Sequence, residues 1–416
     1  MIRFTQFLHG RGTVSRIYRH DASPSHKVPG SLLAYSRIVR PVVFWNITRR
    51  CNLSCRHCYL DAGPGRDGNA ELSTAEALAF IDDLADLGSP LLIISGGEPL
   101  VREDVWELFS RARDRSIGVA LSSNGTLITQ EIARRLKEEG VEYAGISIDG
   151  SDRETHERLR NVPGCFDAAL AGLAHCRDAG IKTGVRFTAT RDNQEDLGPL
   201  IRLSREIRAD RFCVYWLVPS GRGRAMYESA KLTPGESRKI LETLYHEALA
   251  TPPDEMEFLS VDAPQDVVFL LERLKSDKPE EYDSVLRLLD CKGAGCSAGF
   301  RVASVDPTGN VYPCQFAQDD RFLVGSIRDQ RFSTLWNDPA NPVLREFRDK
   351  TVGLSGRCGT CRFKAICGGG CRIRAWYATC DFRADDPFCD LPDGEADETN
   401  RSMPDLSSGK GAQEIP

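Results

Sequence analysis

From residue 41 onward, short apolar runs alternate with amphipathic, charge-rich stretches. The runs are PVVFWNIT (41–48), LLIIS (91–95), GVALSS (118–123), YAGISID (143–149), TGVRFTAT (183–190) and FCVYWLV (212–218). Their length and apolar content predict strands. The stretches between them predict helices. STAEALAFIDDLADLG (73–88) opens on Ser and Thr caps and stops at a glycine. EDVWELFSRARDRS (103–116), QEIARRLKEEG (130–140), FDAALAGLAHCRDAG (166–180), DLGPLIRLSREIRAD (196–210) and PGESRKILETLYHEALA (234–250) follow the same scheme. Six strand-then-helix units predict an α/β fold with a parallel sheet and right-handed crossovers, either an open doubly wound sheet or a partial barrel. Both arrangements gather functional groups at the carboxyl ends of the strands.

The pattern divides the chain. Residues 1–40 form an N-terminal extension, 41–250 the α/β core and 251–290 a mostly helical bridge. Residues 291–392 are rich in cysteine, glycine and short irregular segments. Within them FRVASVDPTGNVYPC predicts a hairpin turning at Pro307–Asn310. This segment has little core of its own and is expected to need metal to hold its shape. The polar tail, 393–416, is expected to be disordered.

Composition narrows the function. The 416 residues carry 54 basic and 60 acidic side chains, a net charge of −6, so neither a nucleic-acid face nor a membrane surface is indicated. No apolar run reaches the roughly 18–20 residues of a membrane span, and the N-terminus lacks the apolar core of a signal peptide. A cytoplasmic setting is expected, where the 15 cysteines are metal ligands or catalytic groups rather than disulfides.

Cys51, Cys55 and Cys58 are spaced C-x3-C-x2-C on one loop after the first strand. A [4Fe–4S] cluster usually takes four cysteines, so three leave one iron open to a small ligand. The alternative is a zinc knuckle that borrows a distant fourth ligand. Further along, Cys291, Cys296, Cys314, Cys358, Cys361, Cys367, Cys371 and Cys389 are enough thiolates for two fully ligated [4Fe–4S] clusters, or for two zinc sites. Cys380 is an extra thiol that could compete with Cys389. SGGEP (95–99), SSNG (122–125) and SIDG (147–150) stand at successive strand ends, where they are either ligand contacts or simply turns. Arg186 lies in an otherwise apolar strand and needs an anionic partner. Arg222 and Arg224 flank a glycine in a loop, either solvated or paired with substrate carboxylates.

With these motifs the chain resembles the radical SAM superfamily over roughly residues 40–225, and the SPASM extension of that superfamily over about 290–392. The resemblance implies a partial (β/α)6 TIM-type barrel of the radical SAM kind, followed by a small Cys-rich SPASM domain. It implies three cofactor groups: S-adenosylmethionine (SAM), a catalytic [4Fe–4S] cluster on Cys51, Cys55 and Cys58, and two auxiliary [4Fe–4S] clusters. The open iron would bind the amino and carboxylate groups of SAM, and one electron would release a 5′-deoxyadenosyl radical. Gly96 and Gly97 would let backbone approach SAM, and Glu98 would accept from its ammonium. His57 would stand beside adenine. Asn124, Ser147 and Asp149 would contact hydroxyl or carboxylate groups, and Arg186 the SAM carboxylate. Cys291, Cys296, Cys314 and Cys371 would hold one auxiliary cluster, and Cys358, Cys361, Cys367 and Cys389 the other.

A narrower resemblance rests on FTQFLHGRGTVS, PVVFWNITRRCNLSCRHCYLDAG, LVPSGRGRAM and CGGGCRIRAW. These are similar to radical SAM enzymes of the siroheme-dependent heme pathway and of heme d1 formation. The implied substrate is an iron-porphyrin: coproheme, oxidatively decarboxylated to heme, or didecarboxysiroheme, stripped of acetate side chains. The full auxiliary cysteine set suits the heme-forming branch, while LSVDAPQDVVFLLERL (259–274) is similar to the acetate-removing and d1 branch. A SPASM-type maturase modifying a ribosomally made peptide or protein is the alternative. Either activity requires a reducing partner such as flavodoxin or ferredoxin.

Overall fold

The computed structural model describes residues 1–14, 40–292 and 295–391, without the side chains at 284, 287, 288 and 290–292. The tail beyond 392 and the side chain of Cys291 therefore lie outside the described residues. The six apolar runs form β2 (Val42–Asn46), β3 (Leu91–Ser95), β4 (Gly118–Ser123), β5 (Val141–Ser147), β6 (Lys182–Ala189) and β7 (Arg211–Trp216). These strands lie side by side in chain order and all pair in parallel. Helices fill the crossovers close to their expected bounds, as at Thr74–Leu87. There Ser73 and Glu76 make a reciprocal capping box and Gly88 closes the helix in the left-handed region.

The structure adds three features to the expected layout. The segment read as a helical bridge contains a further parallel strand, β8 (Glu257–Val261), beside β7. All of its residues are buried, so no polar alternation marked it as a strand. The N-terminal extension is also part of the fold. β1 (Ile2–Arg3) pairs antiparallel with β8, and Phe4, Phe7 and Leu8 of the following helix, Phe4–His9, enter the main core. Lastly, the Cys-rich segment shares that core. β9 (Val302–Val305) adds in parallel to β2, and the expected hairpin continues through β10 (Asn310–Tyr312) to β11 (Gly325–Ser326). The result, among the described residues, is one eleven-stranded sheet.

Packing joins these parts. Trp45 on β2 meets Phe80, Phe80 meets Phe332, and Phe332 stacks on Trp336, so aromatic contacts run from the barrel into the Cys-rich segment. Buried Asp83 accepts from the backbone N–H of Ser333 at 2.9 Å and from its hydroxyl at 2.6 Å. On the inner side of the sheet, Gly145 and Gly184 are required by their neighbours. A Cβ at either would collide with Arg186 or with the Tyr143 hydroxyl. The two glycines thus open the space that these large side chains fill below the strand ends.

Candidate active site and iron–sulfur ligands

The three-cysteine loop leaves β2 and is stitched to the GGEP turn after β3. The Gly97 N–H donates to Thr48 O at 2.7 Å, and the Glu98 N–H to Arg50 O at 2.9 Å. A Cβ on Gly97 would collide with Arg50 O. At Gly96 and Gly97 the backbone that comes close is that of Thr48 and Arg50, in the cluster loop itself.

Each thiol of the loop receives N–H donors. Leu53 N–H and Asn124 Nδ2 point at Cys51 Sγ (3.4 and 3.8 Å), Arg160 Nη1 at Cys55 Sγ (3.7 Å), and Ala62 N–H at Cys58 Sγ (3.4 Å). Burial pushes the Cys51 thiol up to about 12, with Glu98, Cys55 and Cys58 adding to it. A bare thiolate is therefore disfavoured there, and a bound metal centre reverses that preference. Three converging soft donors with N–H groups on their sulfurs fit an iron–sulfur cluster.

The groups expected to touch SAM are arranged around this loop, but two are committed elsewhere. Glu98 is fully buried and accepts from Ser123 Oγ (2.9 Å), Asn124 N–H (2.9 Å) and Leu100 N–H (3.3 Å). Burial pushes it up to about 7 despite these donors. It holds the Asn124 turn. Asp149 is also fully buried. Its Oδ1 accepts from Thr188 N–H at 2.8 Å, and its Oδ2 faces Arg160 Nη2 at 2.6 Å and His57 Nε2 at 3.2 Å. Burial opposes its charge, but Arg160, His57 and His156 together outweigh that and hold the carboxylate well below the usual range. It braces Arg160, His57 and the Thr188 N–H, and a buried carboxylate persists only where partners enclose it.

Asn124 is buried and bridges to Asn52 Oδ1 at 2.9 Å. His57 turns its ring onto Asp149. Ser147 is half-buried at the carboxyl end of β5, in register with Arg186 on β6. Arg186 donates through Nη1 to Ser122 Oγ, while its buried Nε has no hydrogen-bond partner among the described residues.

Arg222 is held against the cluster loop, with its side chain 30% exposed. It donates to Cys55 O (2.7 Å) and Ala62 O (2.9 Å) and pairs with Asp61 at 3.0 Å, clamping both ends of the cluster loop. The Arg224 guanidinium lies over the Tyr377 ring, 4.7 Å from its centroid.

The far cysteines separate into two groups. Cys358, Cys361, Cys367 and Cys389 line one pocket with Gln265, Lys364 and Leu391. Cys314 is half-buried near Cys296 and Cys371; burial, then the charges of those two, holds its thiol well above the usual range. Between Cys367 and Cys371, Gly368, Gly369 and Gly370 all have positive φ (71°, 84° and 76°). Only glycine follows such a path without strain, and it carries the chain from one cysteine group to the other within four residues. Arg374 and Asp386, both fully buried, pair at 2.9 Å beside this crossing, and Asp386 also accepts the Cys371 N–H at 2.7 Å. Cys380 is exposed, caps its helix at φ 57° and is absent from the pocket lining. Among the described residues, no three Cys, His, Asp or Glu side chains gather as a single metal ion would require.

Several residues escaped the sequence reading. Arg160 and His156 sit on a helix, Arg153–Arg160, that is almost wholly polar and so gives no apolar periodicity. Asp262, just past β8, has φ 76° and a buried carboxylate oxygen without a hydrogen-bond partner. Burial pushes it up to about 7. Its charge is felt at Tyr59, Tyr215 and Cys314, which places it between the cluster loop and the first auxiliary group. No sequence signal marked Asp262, because the strand it follows, β8, was itself not expected.

Comparison with known proteins agrees with this geometry. Residues 45–203 match the model of the radical SAM superfamily, and residues 296–362 that of the SPASM iron–sulfur cluster-binding domain. The Fe-coproporphyrin III synthase of Methanosarcina barkeri is 39% identical, over 91% of this chain and 97% of its own. The pre-heme d1 synthase of Dinoroseobacter shibae is 38% identical, over 86% and 87%. The AdoMet-dependent heme synthase of M. barkeri is 34% identical, over 84% and 95%. Among solved structures, Streptococcus suis SuiB bound to S-adenosylmethionine superposes with a TM-score of 0.65 at 19% identity, over 85% of this chain and 78% of that one. That likeness speaks to the fold. Among the described residues no helix is long and apolar enough to cross a membrane.

Proposed function

The chain belongs to the radical SAM superfamily and carries a SPASM domain, and from that premise we propose that it removes side chains from an iron-porphyrin, converting didecarboxysiroheme to Fe-coproporphyrin III. The observation that carries the proposal is the near full-length match to Fe-coproporphyrin III synthase, above that to AdoMet-dependent heme synthase. The LSVDAPQDVVFLLERL stretch supports the same branch.

SAM and the [4Fe–4S] clusters supply a 5′-deoxyadenosyl radical and an electron path; the chain's own groups position and enclose them. Cys51, Cys55 and Cys58 hold the catalytic cluster. Asn124 and the GGEP turn, locked together by Glu98, keep that loop in place. Arg186 turns a buried guanidinium toward the strand ends. No acidic group lies within salt-bridge distance of it among the described residues, and Ser147 stands beside it. The SAM carboxylate would complete its set of partners. His57, fixed by Asp149, stands at the adenine side. Cys291, Cys296, Cys314 and Cys371 hold one auxiliary cluster, and Cys358, Cys361, Cys367 and Cys389 the other. Tyr59, Tyr215 and Asp262, between the catalytic loop and the first auxiliary group, wall the substrate space. A reducing cytoplasmic setting with a flavodoxin or ferredoxin as donor suits so many thiols.

The test is anaerobic reconstitution with SAM and dithionite, offering didecarboxysiroheme and coproheme in separate reactions. Fe-coproporphyrin III, identified by mass from the first, is the expected product. A vinyl-bearing product from coproheme alone would move the protein to the heme-forming branch. 5′-Deoxyadenosine with both porphyrins unchanged would overturn the porphyrin assignment.

A further inference from the structure

We propose that Arg160 is a positioning residue that sets the reduction potential of the catalytic cluster by presenting a buried positive charge to one ligand sulfur, Cys55. The proposal rests on Cys51, Cys55 and Cys58 being cluster ligands.

Arg160 is the last residue of the helix Arg153–Arg160. Its side chain is 10% exposed. Nη1 points at Cys55 Sγ, 3.7 Å away, and Nη2 at Asp149 Oδ2, 2.6 Å away. The fork is held from both sides. The Arg56 N–H, inside the cluster loop, donates to Leu159 O at 2.8 Å, which ties the end of this helix to the loop. Asp149 in turn is locked by Thr188 N–H at 2.8 Å, and its backbone carbonyl accepts Asn193 Nδ2 at 3.0 Å. The His156 ring, from the same helix, accepts the Asp149 N–H at 3.1 Å. Arg160 therefore cannot swing away from the sulfur without abandoning a buried carboxylate.

A charge-assisted N–H···S contact favours the more negative state of the ligand sulfur. Reduction adds one negative charge to the cluster, and hydrogen bonds to its sulfurs and nearby charge tune its potential. Among the ligand-sulfur contacts at the catalytic loop, this one comes from a full cation, while those at Cys51 and Cys58 come from neutral amides. Asp149 has the opposite sign and stands one step further from the sulfur, so it moderates the effect. The two charges predict opposite shifts when removed singly, which a merely structural brace does not.

The experiment is a redox titration of reconstituted full-length protein, read by EPR on the signal that SAM perturbs, which isolates the catalytic cluster from the auxiliary ones. R160Q is expected to lower the reduced-to-oxidised ratio at fixed potential about tenfold, equivalent to about 59 mV for a one-electron couple. D149N is expected to raise it. R160K, which keeps the charge, is expected to fall between R160Q and wild type. The auxiliary signals should not move. R160Q and D149N shifting in the same direction, or R160Q leaving the ratio unchanged at full iron content, would overturn the proposal. If R160Q fails to retain iron, D149N against wild type and R160K carries the comparison: a D149N ratio equal to or below that of wild type would also overturn it. Absence of any SAM-perturbed signal in the wild type would instead overturn the ligand assignment on which this rests.

Discussion

At the loop of Cys51, Cys55 and Cys58, the groups that steady the sulfurs come largely from distant parts of the chain: Asn124 after β4, Arg160 at a helix end, and Arg222 after β7 clamping the loop backbone. Around Cys358, Cys361, Cys367 and Cys389, the supports come mostly from the same Cys-rich segment, with Gln265 added from outside it. The Cys358 N–H donates to Asp385 at 2.8 Å, and Asp386 anchors both Arg374 and the Cys371 N–H. The first site supplies three thiols and leaves its remaining face to polar strand ends. The second supplies four thiols and closes on itself. An open cluster site has to be completed by the tertiary fold, because its fourth ligand is a co-substrate that the barrel must hold. A closed site can be written into one stretch of chain.

The largest effect should come from removing a thiol at each site. C55A is expected to abolish 5′-deoxyadenosine formation while the auxiliary iron remains. C358A is expected to lose one auxiliary cluster and still cleave SAM. Iron and sulfide counts alongside nucleoside assays check both, and a C358A protein that loses all its iron would erase the contrast. Next in size is D386N, which strands the buried Arg374 charge at the crossing between the auxiliary groups. Breaking a fully buried pair from one side costs about 3–5 kcal/mol, read by denaturant unfolding of the loaded protein. G97A sharpens the other half of the comparison. Its methyl group would press on Arg50 O, an overpacking cost of about 1–3 kcal/mol, and displacement of the loop should weaken SAM binding in a direct titration. C380S should do least. An exposed thiol outside the pocket is expected to change stability by no more than about 0.5 kcal/mol and to leave the iron content intact, which would remove Cys380 as a rival of Cys389.

Much of the fold was legible because its signals are local. The six apolar runs became β2 to β7, and Ser73, Gly88 and Thr233 ended their helices as cap chemistry requires. β8 and the N-terminal strand were not legible. One is buried on both faces, and the other spans two residues and exists only by pairing with β8. The Cys-rich segment was expected to lean on metal, but β9 and the Phe332–Trp336 stack root it in the barrel's core.

By itself the sequence determined the count and spacing of the thiols, the order of strands and helices, and the glycine run that lets Cys367 and Cys371 serve different groups. Only the tertiary structure decided which buried charges meet. It enclosed Glu98 and Asp149 among buried partners, brought Arg160 to Cys55, and set Arg186 against Ser122. The reason is physical: periodicity, capping and spacing are set over a few residues, whereas a buried charge is stable only beside partners that distant segments deliver.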